Sequence, residues 1–239
     1  MEPTQLGYFF DDLEACPCKE VFKKVKHPWE ALKKKDELVD FSKQKIEGKV
    51  SKTAKITGNV VIGKGTVVDD YVTIEGPCII GKDCEIRPGA MIRAKSVIGD
   101  KVVMGHGVEL KNSIIFDEAK ISTNSFVGDC ILGKGARVAS GAITGNRRFD
   151  QKKVEIKIGK SSHPTGMDKF GCILGEYARI GANCSTAPGT LIGKHTWTYS
   201  NLMIRGVIPP KKLLKLRQEI EMVDKEETVL TREDTEGKV

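Results

Sequence analysis

Five polar side chains recur at matching positions between residues 87 and 146 of the 239-residue sequence. Arg87, His106 and Thr123 follow equivalent aliphatic residues by one or two positions, and Lys111 and Asn146 follow a second such set. If the aliphatic residues stack, these side chains form a basic, hydroxyl-bearing cluster. Such a cluster can hold a phosphate ester, and a histidine in it supplies a base near neutral pH. The alternative for each residue alone is a solvated turn.

The elements that position these residues are the short strands of a six-residue repeat. Its first column contains eleven aliphatic residues spaced six apart: Val50, Ile56, Ile62, Val68, Ile74, Ile80, Ile86, Ile92, Ile98, Met104 and Leu110. A second column, four residues later, is small or β-branched, and turn-forming residues separate the two. Six residues cannot bury their own apolar side, so three units form a triangular coil of about 18 residues and the coils stack. The sequence thus predicts a parallel β-helix, and periodicity does not determine its handedness.

The first region, residues 1–48, lacks the repeat and predicts an α/β cap. Residues 8–10 are apolar and aromatic, which favours a short strand. Residues 28–48 begin with proline and have a partly apolar face, which indicates a helix. We expect this helix to cover the open end of the β-helix, where strand edges would otherwise be exposed.

The repeat occupies residues 49–208, with an insertion at 145–173 that we expect to leave one corner as a loop. Residues 209–239 follow the repeat. Within them, residues 211–223 predict a terminal helix, and the charged stretch from Asp224 predicts a disordered tail.

Charge and hydropathy restrict the classes of partner. The net charge is +7, but the lysines are scattered through turns with acids between them, and no basic motif with interleaved aromatics is present. This pattern argues against nucleic-acid binding and is compatible with attraction of anionic phosphates. No apolar stretch approaches the roughly 18 residues that cross a membrane, and no signal-peptide core is present.

Cysteine usage indicates a reducing, cytoplasmic compartment. The sequence has seven cysteines, an odd number, and Cys78, Cys84 and Cys184 fall in the small interior column. The Cys16-Pro17-Cys18 spacing is neither a metal motif nor a redox motif. We therefore expect no metal site.

Several blocks of the repeat region carry a more specific pattern. Four of them are Arg87-Pro88-Gly89-Ala90, Gly105 to Ser113, Phe126-Val127-Gly128-Asp129 and Gly141 to Asn146. They resemble the left-handed β-helix domain of bacterial and archaeal glucosamine-1-phosphate N-acetyltransferase. Three later blocks are similar to the archaeal-type bifunctional sugar-1-phosphate nucleotidylyltransferase/acetyltransferase: Asn146-x-Arg148-x-Asp150, Thr165-Gly166-x-x-Lys169-Phe170-Gly171 and Pro188-Gly189. The resemblance covers about residues 50 to 210 and implies a left-handed coil.

The resemblance also implies roles for individual residues. Four positions match substrate-binding residues of the family. Arg87 and Lys111 match basic residues that hold the sugar phosphate, Asn146 matches an asparagine near the acceptor sugar, and Lys152 matches a following substrate lysine. The positions that match the acetyl-CoA groove, usually formed between two subunits of a homotrimer, are Gly181, Ala182, Ala187 and Ser200.

Two positions depart from the family's pattern at its catalytic centre. Thr123 stands where the family has a catalytic histidine, and Phe126 stands where it has a tyrosine. Threonine cannot act as a base near neutral pH, and the loss of a general base costs about 10²- to 10⁴-fold in rate. His106, one coil below Thr123, is a replacement, so the candidate catalytic residues are His106, Thr123 and Ser125. A packing role for His106 stays open, and His163 in the insertion is a further candidate.

The sequence therefore predicts a transferase that moves an acyl group from acetyl-CoA to an amino sugar or sugar 1-phosphate. Arg87, Lys111 and Asn146 favour this prediction. The alternative is a catalytically impaired β-helix that serves as a binding or assembly module for a separate nucleotidyltransferase, and Thr123 and Phe126 favour it. Residues 1–48 are too short for a nucleotidyltransferase domain and carry no glycine-rich nucleotide loop.

Overall fold

Short parallel strands dominate the fold of the protein, whose structure is a computed structural model that describes residues 2–224. The strands stack into a left-handed parallel β-helix of about nine turns, which confirms the predicted fold class. Each turn adds one strand to each of three sheets, called here faces A, B and C. The turns between them form the A–B, B–C and C–A corners.

Neighbouring strands on each face are hydrogen-bonded in parallel. Face A contains, in spatial order, Lys45–Ile46, Val60–Ile62, Cys78–Ile80, Ser96–Ile98, Ile114–Ile115, Ile131–Leu132, Cys172–Leu174, Thr190–Ile192 and Val207–Ile208. Face B contains Lys49–Val50, Val67–Val68, Glu85–Ile86, Val103–Met104, Lys120–Ile121, Arg137–Val138, Arg179–Ile180, Trp197–Thr198 and Leu213–Leu214. Face C contains Lys55–Thr57, Thr73–Glu75, Met91–Arg93, Glu109–Lys111, Phe126–Gly128, Ile143–Thr144, Ser185–Thr186 and Met203–Ile204.

The aliphatic column fills the interior in register. Ile86, Met104 and Ile121 are direct neighbours on face B, as the repeat predicts. The step between partners falls from 18 residues to 17 at Met104, and the corner turn absorbs the difference without moving the column out of the core. Cys78 and Cys84 lie in the same core, and all seven cysteines are free thiols.

The N-terminal segment, residues 2–44, contains helical turns and no strand. Its elements are the 3-10 turns Leu6–Tyr8 and Pro28–Glu30 and the helices α1 (Lys19–Phe22) and α2 (Ala31–Leu38). The strand predicted at residues 8–10 is therefore wrong. The helix predicted for 28–48 ends at Leu38, because Lys45 and Ile46 pair with Val61 and Ile62 and already belong to the first coil.

The segment lies along the outside of face A, so the prediction that it covers the open end of the β-helix is wrong. Phe10 stacks on Phe116 with 4.7 Å between ring centroids. The physical reason is a second apolar column, which points outward from face A and needs cover. Its buried members in this cluster are Ile114, Ile131, Ile173 and Leu191.

The insertion leaves the C–A corner and returns to it without disturbing the register. Leu132 pairs with Leu174 on face A, across the whole inserted stretch. The insertion is not entirely a loop, because Glu155–Ile158 and Ser161–Pro164 form an antiparallel hairpin. Val154 and Ile156 of the insertion are buried in the cluster that holds the N-terminal segment.

The coil continues beyond its predicted end at residue 208. Leu213 pairs with Trp197 and adds a last strand to face B, and residues 215–224 have no helix. The helix predicted for 211–223 is therefore wrong, because strand pairing competes for its first residues. The part of the predicted tail beyond residue 224 lies outside the described residues. Between residues 2 and 224, no helix is long and apolar enough to cross a bilayer.

Candidate functional site

A buried carboxylate at the C–A corner orients two amides. Asp129 follows the strand Phe126–Gly128 and is 3% exposed. Its Oδ1 accepts a hydrogen bond of 2.6 Å from Asn112 Nδ2, and its Oδ2 accepts one of 2.6 Å from Asn146 Nδ2. A carboxylate oxygen can only accept, so both NH₂ groups point toward Asp129. The side-chain carbonyl of Asn146 is thereby left as the acceptor for a ligand.

A buried lysine connects this corner to the N-terminal segment. Lys35 of α2 is fully buried, and its Nζ donates to Asn112 Oδ1 at 2.7 Å and to Asp36 Oδ1 at 2.8 Å. Burial lowers the pKa of the Lys35 ammonium, and Asp36 opposes that shift. Lys35, Asn112, Asp129 and Asn146 thus form one hydrogen-bonded chain that reaches from helix α2 to the corner.

Three cationic side chains lie close to one another at this corner. Lys111 ends the strand Glu109–Lys111 of face C. Burial lowers the pKa of the Lys111 ammonium, Asp129 opposes this, and the nearby Lys169 and Arg93 lower it further. Arg93 is already paired with Glu109 at 2.9 Å, whereas Lys111 and Lys169 form no ion pair within residues 2–224. An anion placed between the two lysines would reduce their repulsion, so the corner is suited to a phosphate or carboxylate group.

A depression of about 700 Å³ lies beside this corner on the outer side of face C. Phe126, Ile143 and Met203 give it an apolar floor, and Asn146 and Ala187 lie at its edge. The insertion forms its wall with residues 147–150. Apolar surface with a few polar groups at the rim is typical of small-molecule sites.

The wall carries an exposed ion pair and an unusually exposed aromatic ring. Arg148 Nη2 donates to Asp150 Oδ2 at 2.6 Å, which holds the pKa of the Asp150 carboxyl at about 2. Phe149 is fully exposed beside this pair. The carboxyl of Asp150 is therefore unsuited to take up protons near neutral pH.

The B–C corner holds the histidine candidate in a defined tautomer. His106 is exposed, its ring lies over Gly89, and its Nδ1 is 2.7 Å from the carbonyl oxygen of Pro88. A carbonyl oxygen only accepts, so Nδ1 carries the proton and Nε2 of the neutral ring presents its lone pair. This arrangement leaves Nε2 free to accept a proton, as a general base must.

The other residues predicted at this corner differ in their availability. Arg87 is exposed and pairs with Glu85 at 3.2 Å, and together with Thr123 it lines a depression of about 330 Å³. Ser125 is buried and donates its hydroxyl proton to the carbonyl of Ala139 at 3.0 Å. The geometry of Ser125 is that of a hydroxyl that stabilises a turn.

The remaining predicted residues lie in three places. Gly181, Ala182 and Ser200 are at the B–C corner in the last coils, where Ser200 lines a separate depression of about 460 Å³. Ala187 lies one face away, at the C–A corner. Lys152 is exposed on the insertion, outside the residues that line the depression on face C.

The structure therefore brings some predicted residues together and separates others. Asn146 and Ala187 share the face C depression, and Lys111 lies two coils from Asn146 along the same edge. Arg87, His106 and Thr123 lie at the opposite edge of face C. His163 packs edge-on against Trp29, with ring centroids 6.0 Å apart, and against His27 at 5.8 Å.

Sequence reasoning missed Asp129, Asn112 and Lys35 as parts of the site. Asp129 belongs to one of the blocks that carry the resemblance, and its position one coil below Asn146 was the available signal. No repeat position pointed to Lys35, because it lies outside the repeat.

Comparison with known proteins gives the family. The model of the GMPPB C-terminal domain matches residues 74–159. The bifunctional protein GlmU of Methanococcus maripaludis (strain C5) is 34% identical over 201 residues, which are 84% of this chain and 49% of that protein. The acetyltransferase YaiX of Escherichia coli (strain K12), itself uncharacterised, is 31% identical over 163 residues, which are 68% of this chain and 70% of that protein. The chain belongs to the hexapeptide-repeat acetyltransferase family.

This acetyltransferase-family chain spans about half the length of the GlmU relative. Among solved structures, GDP-perosamine N-acetyltransferase from Caulobacter crescentus is 18% identical and matches 77% of this chain and 57% of that one, with a TM-score of 0.33.

Proposed function

We propose that the chain is an acetyltransferase that transfers an acetyl group from acetyl-CoA to the amine of an amino sugar phosphate. The observation that carries the proposal is the fixed amide of Asn146, whose partner Asp129 also acts on the charge of Lys111. The Asn146 carbonyl would accept a hydrogen bond from an N–H or O–H of the acceptor sugar. Lys111 and Lys169 would hold its phosphate. The membership in an acetyltransferase family supports the reaction type.

The chemistry needs a neutral amine and a way to remove one proton. The amine nitrogen attacks the thioester carbonyl, a C–N bond forms, and the C–S bond breaks to release the CoA thiolate. The proton lost by the nitrogen passes to a base, and His106 Nε2 is the candidate, because Nδ1 already donates to Pro88. Backbone N–H groups would stabilise the oxyanion that forms at the thioester carbonyl oxygen.

The proposal includes a homotrimer, because the base and the sugar site lie on opposite edges of face C within one chain. His106 is at the B–C corner, whereas Asn146 is at the C–A corner. A second copy packed against face C would bring its own corner over the depression. Face A is less available for such packing, because the N-terminal segment covers much of it.

A binding module without catalysis is the second candidate. The observation that favours it is the composition of the face C depression. Its titratable lining residues among those the structure describes are Arg147, Arg148 and Asp150, and none of them is a base near neutral pH. Phe126, on the floor of the depression, has no hydroxyl group, whereas the tyrosine of the family's pattern would supply one there. On this reading the chain binds a sugar phosphate or acyl-CoA and presents it to another protein.

The experiment follows acetyl transfer from acetyl-CoA to glucosamine 1-phosphate by mass spectrometry of the product. We expect turnover that His106→Gln reduces by about 10²- to 10⁴-fold. His163→Gln tests the other candidate base and should leave turnover unchanged, since that ring packs on Trp29. Acetyl-CoA binding with no turnover on amino sugar phosphates would favour the binding module. If calorimetry detects no binding of acetyl-CoA, both the proposed reaction and the role of acetyl-CoA as its co-substrate are refuted.

A further inference from the structure

Face B carries a ladder of cations on its outer side. Lys120, Arg137 and Arg179 occupy the same outward position in three consecutive coils and are direct strand partners. Adjacent strands are about 4.8 Å apart, so the ladder places three positive charges within about 10 Å. Like charges placed opposite each other on neighbouring strands destabilise a sheet. The arrangement therefore needs a compensating partner.

No carboxylate supplies that compensation within residues 2–224. Lys120, Arg137 and Arg179 form no ion pair and donate no side-chain hydrogen bond in this part of the chain, and all three are exposed. The one acid that lines the same depression is Glu118, which lies 3.8 Å from Lys134. The depression has a volume of about 420 Å³ and is also lined by Lys101. It is thus an open basic recess with unused N–H donors.

Aromatic rings border the recess at one end. Trp197 is the next residue of the ladder column, and the Arg179 guanidinium carbon lies 4.4 Å from the centre of its ring. Trp197 Nε1 donates to the Tyr177 carbonyl at 3.2 Å, which fixes the indole. Tyr177 is stacked on His195 and 40% exposed. A guanidinium that uses its face for a ring keeps its in-plane N–H donors for a phosphate.

We propose that this surface, formed by Lys120, Arg137, Arg179, Tyr177 and Trp197, binds a nucleoside diphosphate group. The diphosphate would lie along the ladder, with charge-assisted hydrogen bonds from both arginines. The base would pack against the exposed aromatic surface of Tyr177 or Trp197.

The length of the ladder decides against nucleic acid as the partner. The column is cationic for three consecutive rungs, and the run ends at Val103 below Lys120 and at Trp197 above Arg179. A nucleic-acid strand would need a longer basic track, whereas two linked phosphates fit within three rungs. A nucleoside diphosphate group occurs both in coenzyme A and in nucleotide sugars, and the shared chemistry is what the surface recognises.

This proposal does not depend on acetyl transfer. The test titrates the full chain at low ionic strength with ADP, UDP, CoA and pyrophosphate, and measures affinity by calorimetry together with tryptophan fluorescence. The sequence has two tryptophans, and Trp29 is fully buried whereas Trp197 is 47% exposed, so a change in emission on binding reports on Trp197. We expect the nucleotides to bind and to change the emission, and pyrophosphate to bind with little change.

The variants separate this surface from the acetyltransferase site. Arg137→Gln and Arg179→Gln should each weaken nucleotide binding at least tenfold, and Arg137→Gln leaves the Arg179–Trp197 contact in place. Lys49→Gln, in the same column but in the first coil, is the matched control and should bind as the wild type does. Acetyl transfer on glucosamine 1-phosphate is measured in parallel, so loss of one property is distinguished from loss of the other.

Each outcome decides the proposal. Preference for CoA over UDP would assign the surface to the coenzyme, and the reverse preference would assign it to a nucleotide sugar. Nucleotide binding that Arg137→Gln and Arg179→Gln leave unchanged would overturn the proposal. So would the absence of binding by all four probes at millimolar concentration.

Discussion

Replacement of Asp129 by asparagine tests whether this residue fixes the candidate site. The Asp129 carboxylate is buried and accepts from two amides, one on each oxygen. Asparagine keeps one oxygen and replaces the other by an NH₂ group. The NH₂ group of either Asn112 or Asn146 would then face another NH₂ group instead of a hydrogen-bond acceptor. We expect Asp129→Asn to destabilise the protein and to let the freed amide turn.

The magnitude follows from what is lost. A hydrogen bond to a charged group contributes about 1.5–3 kcal/mol, and a buried donor left without a partner costs about 1–3 kcal/mol. One of the two bonds is lost and the other becomes neutral, so we expect a loss of about 2–4 kcal/mol. Urea unfolding at neutral pH measures it, provided that the slope of the transition is unchanged. Asp168→Asn, at an exposed position of the insertion, is the control and should leave the midpoint where it is.

A second variant tests whether the hydrogen bonds of Asp129 account for the loss of stability. In the double variant Asp129→Asn/Asn146→Asp, the amide at 129 accepts from Asn112 and donates to the new carboxylate at 146, so every group regains a partner. We expect this variant to recover most of the lost stability. A single variant as stable as the wild type, or a double variant less stable than the single one, would contradict the network.

Two further predictions concern the rest of the fold. Phe10→Ala removes a ring that is 2% exposed and stacked on Phe116. We expect it to lower the free energy of unfolding in urea by about 3–5 kcal/mol. A loss below about 1 kcal/mol would mean that the N-terminal segment does not stabilise face A. Burial raises the pKa of the Cys84 thiol to about 11. The unfolded chain therefore loses this proton from about pH 9, whereas the folded protein keeps it until about pH 11, and stability falls as the pH rises between these two values. Relative to Cys84→Ala, the wild type should lose about 2–3 kcal/mol between pH 8 and 11, and parallel pH profiles would argue against a buried thiol.

The fold was largely predictable because the six-residue period constrains every strand at once. The placement of the N-terminal segment was missed, although a signal was present. The residue before the inward aliphatic position on face A is itself apolar in coil after coil, as at Val97, Ile114 and Ile131. Such a column points outward and requires cover. The final strand was missed because the charged sequence around Leu213 has stronger helical propensity than strand propensity, and pairing with Trp197 overrides it.

The candidate site was predictable where it depends on the repeat alone. The stacking of the coils that carry Arg87, His106 and Thr123 follows from counting residues. The orientation of Asn146 does not, because it depends on the side chain of Asp129 in the coil below. The tautomer of His106 likewise depends on a backbone carbonyl one coil away. Contacts between side chains of different coils need the structure.

The course of the N-terminal segment along face A has a consequence for synthesis on the ribosome. The carbonyls of Tyr8 and Phe9 accept from the backbone N–H groups of Lys194 and Glu176. The chain emerges with its N-terminus first, so these aromatic residues leave the ribosome long before their docking surface exists. The coils can form one by one as they emerge, since each pairs with the one before it. These aromatic residues therefore reach their native position only after the coil that carries Lys194 has formed, and their apolar side chains stay open to chaperones or to aggregation until then.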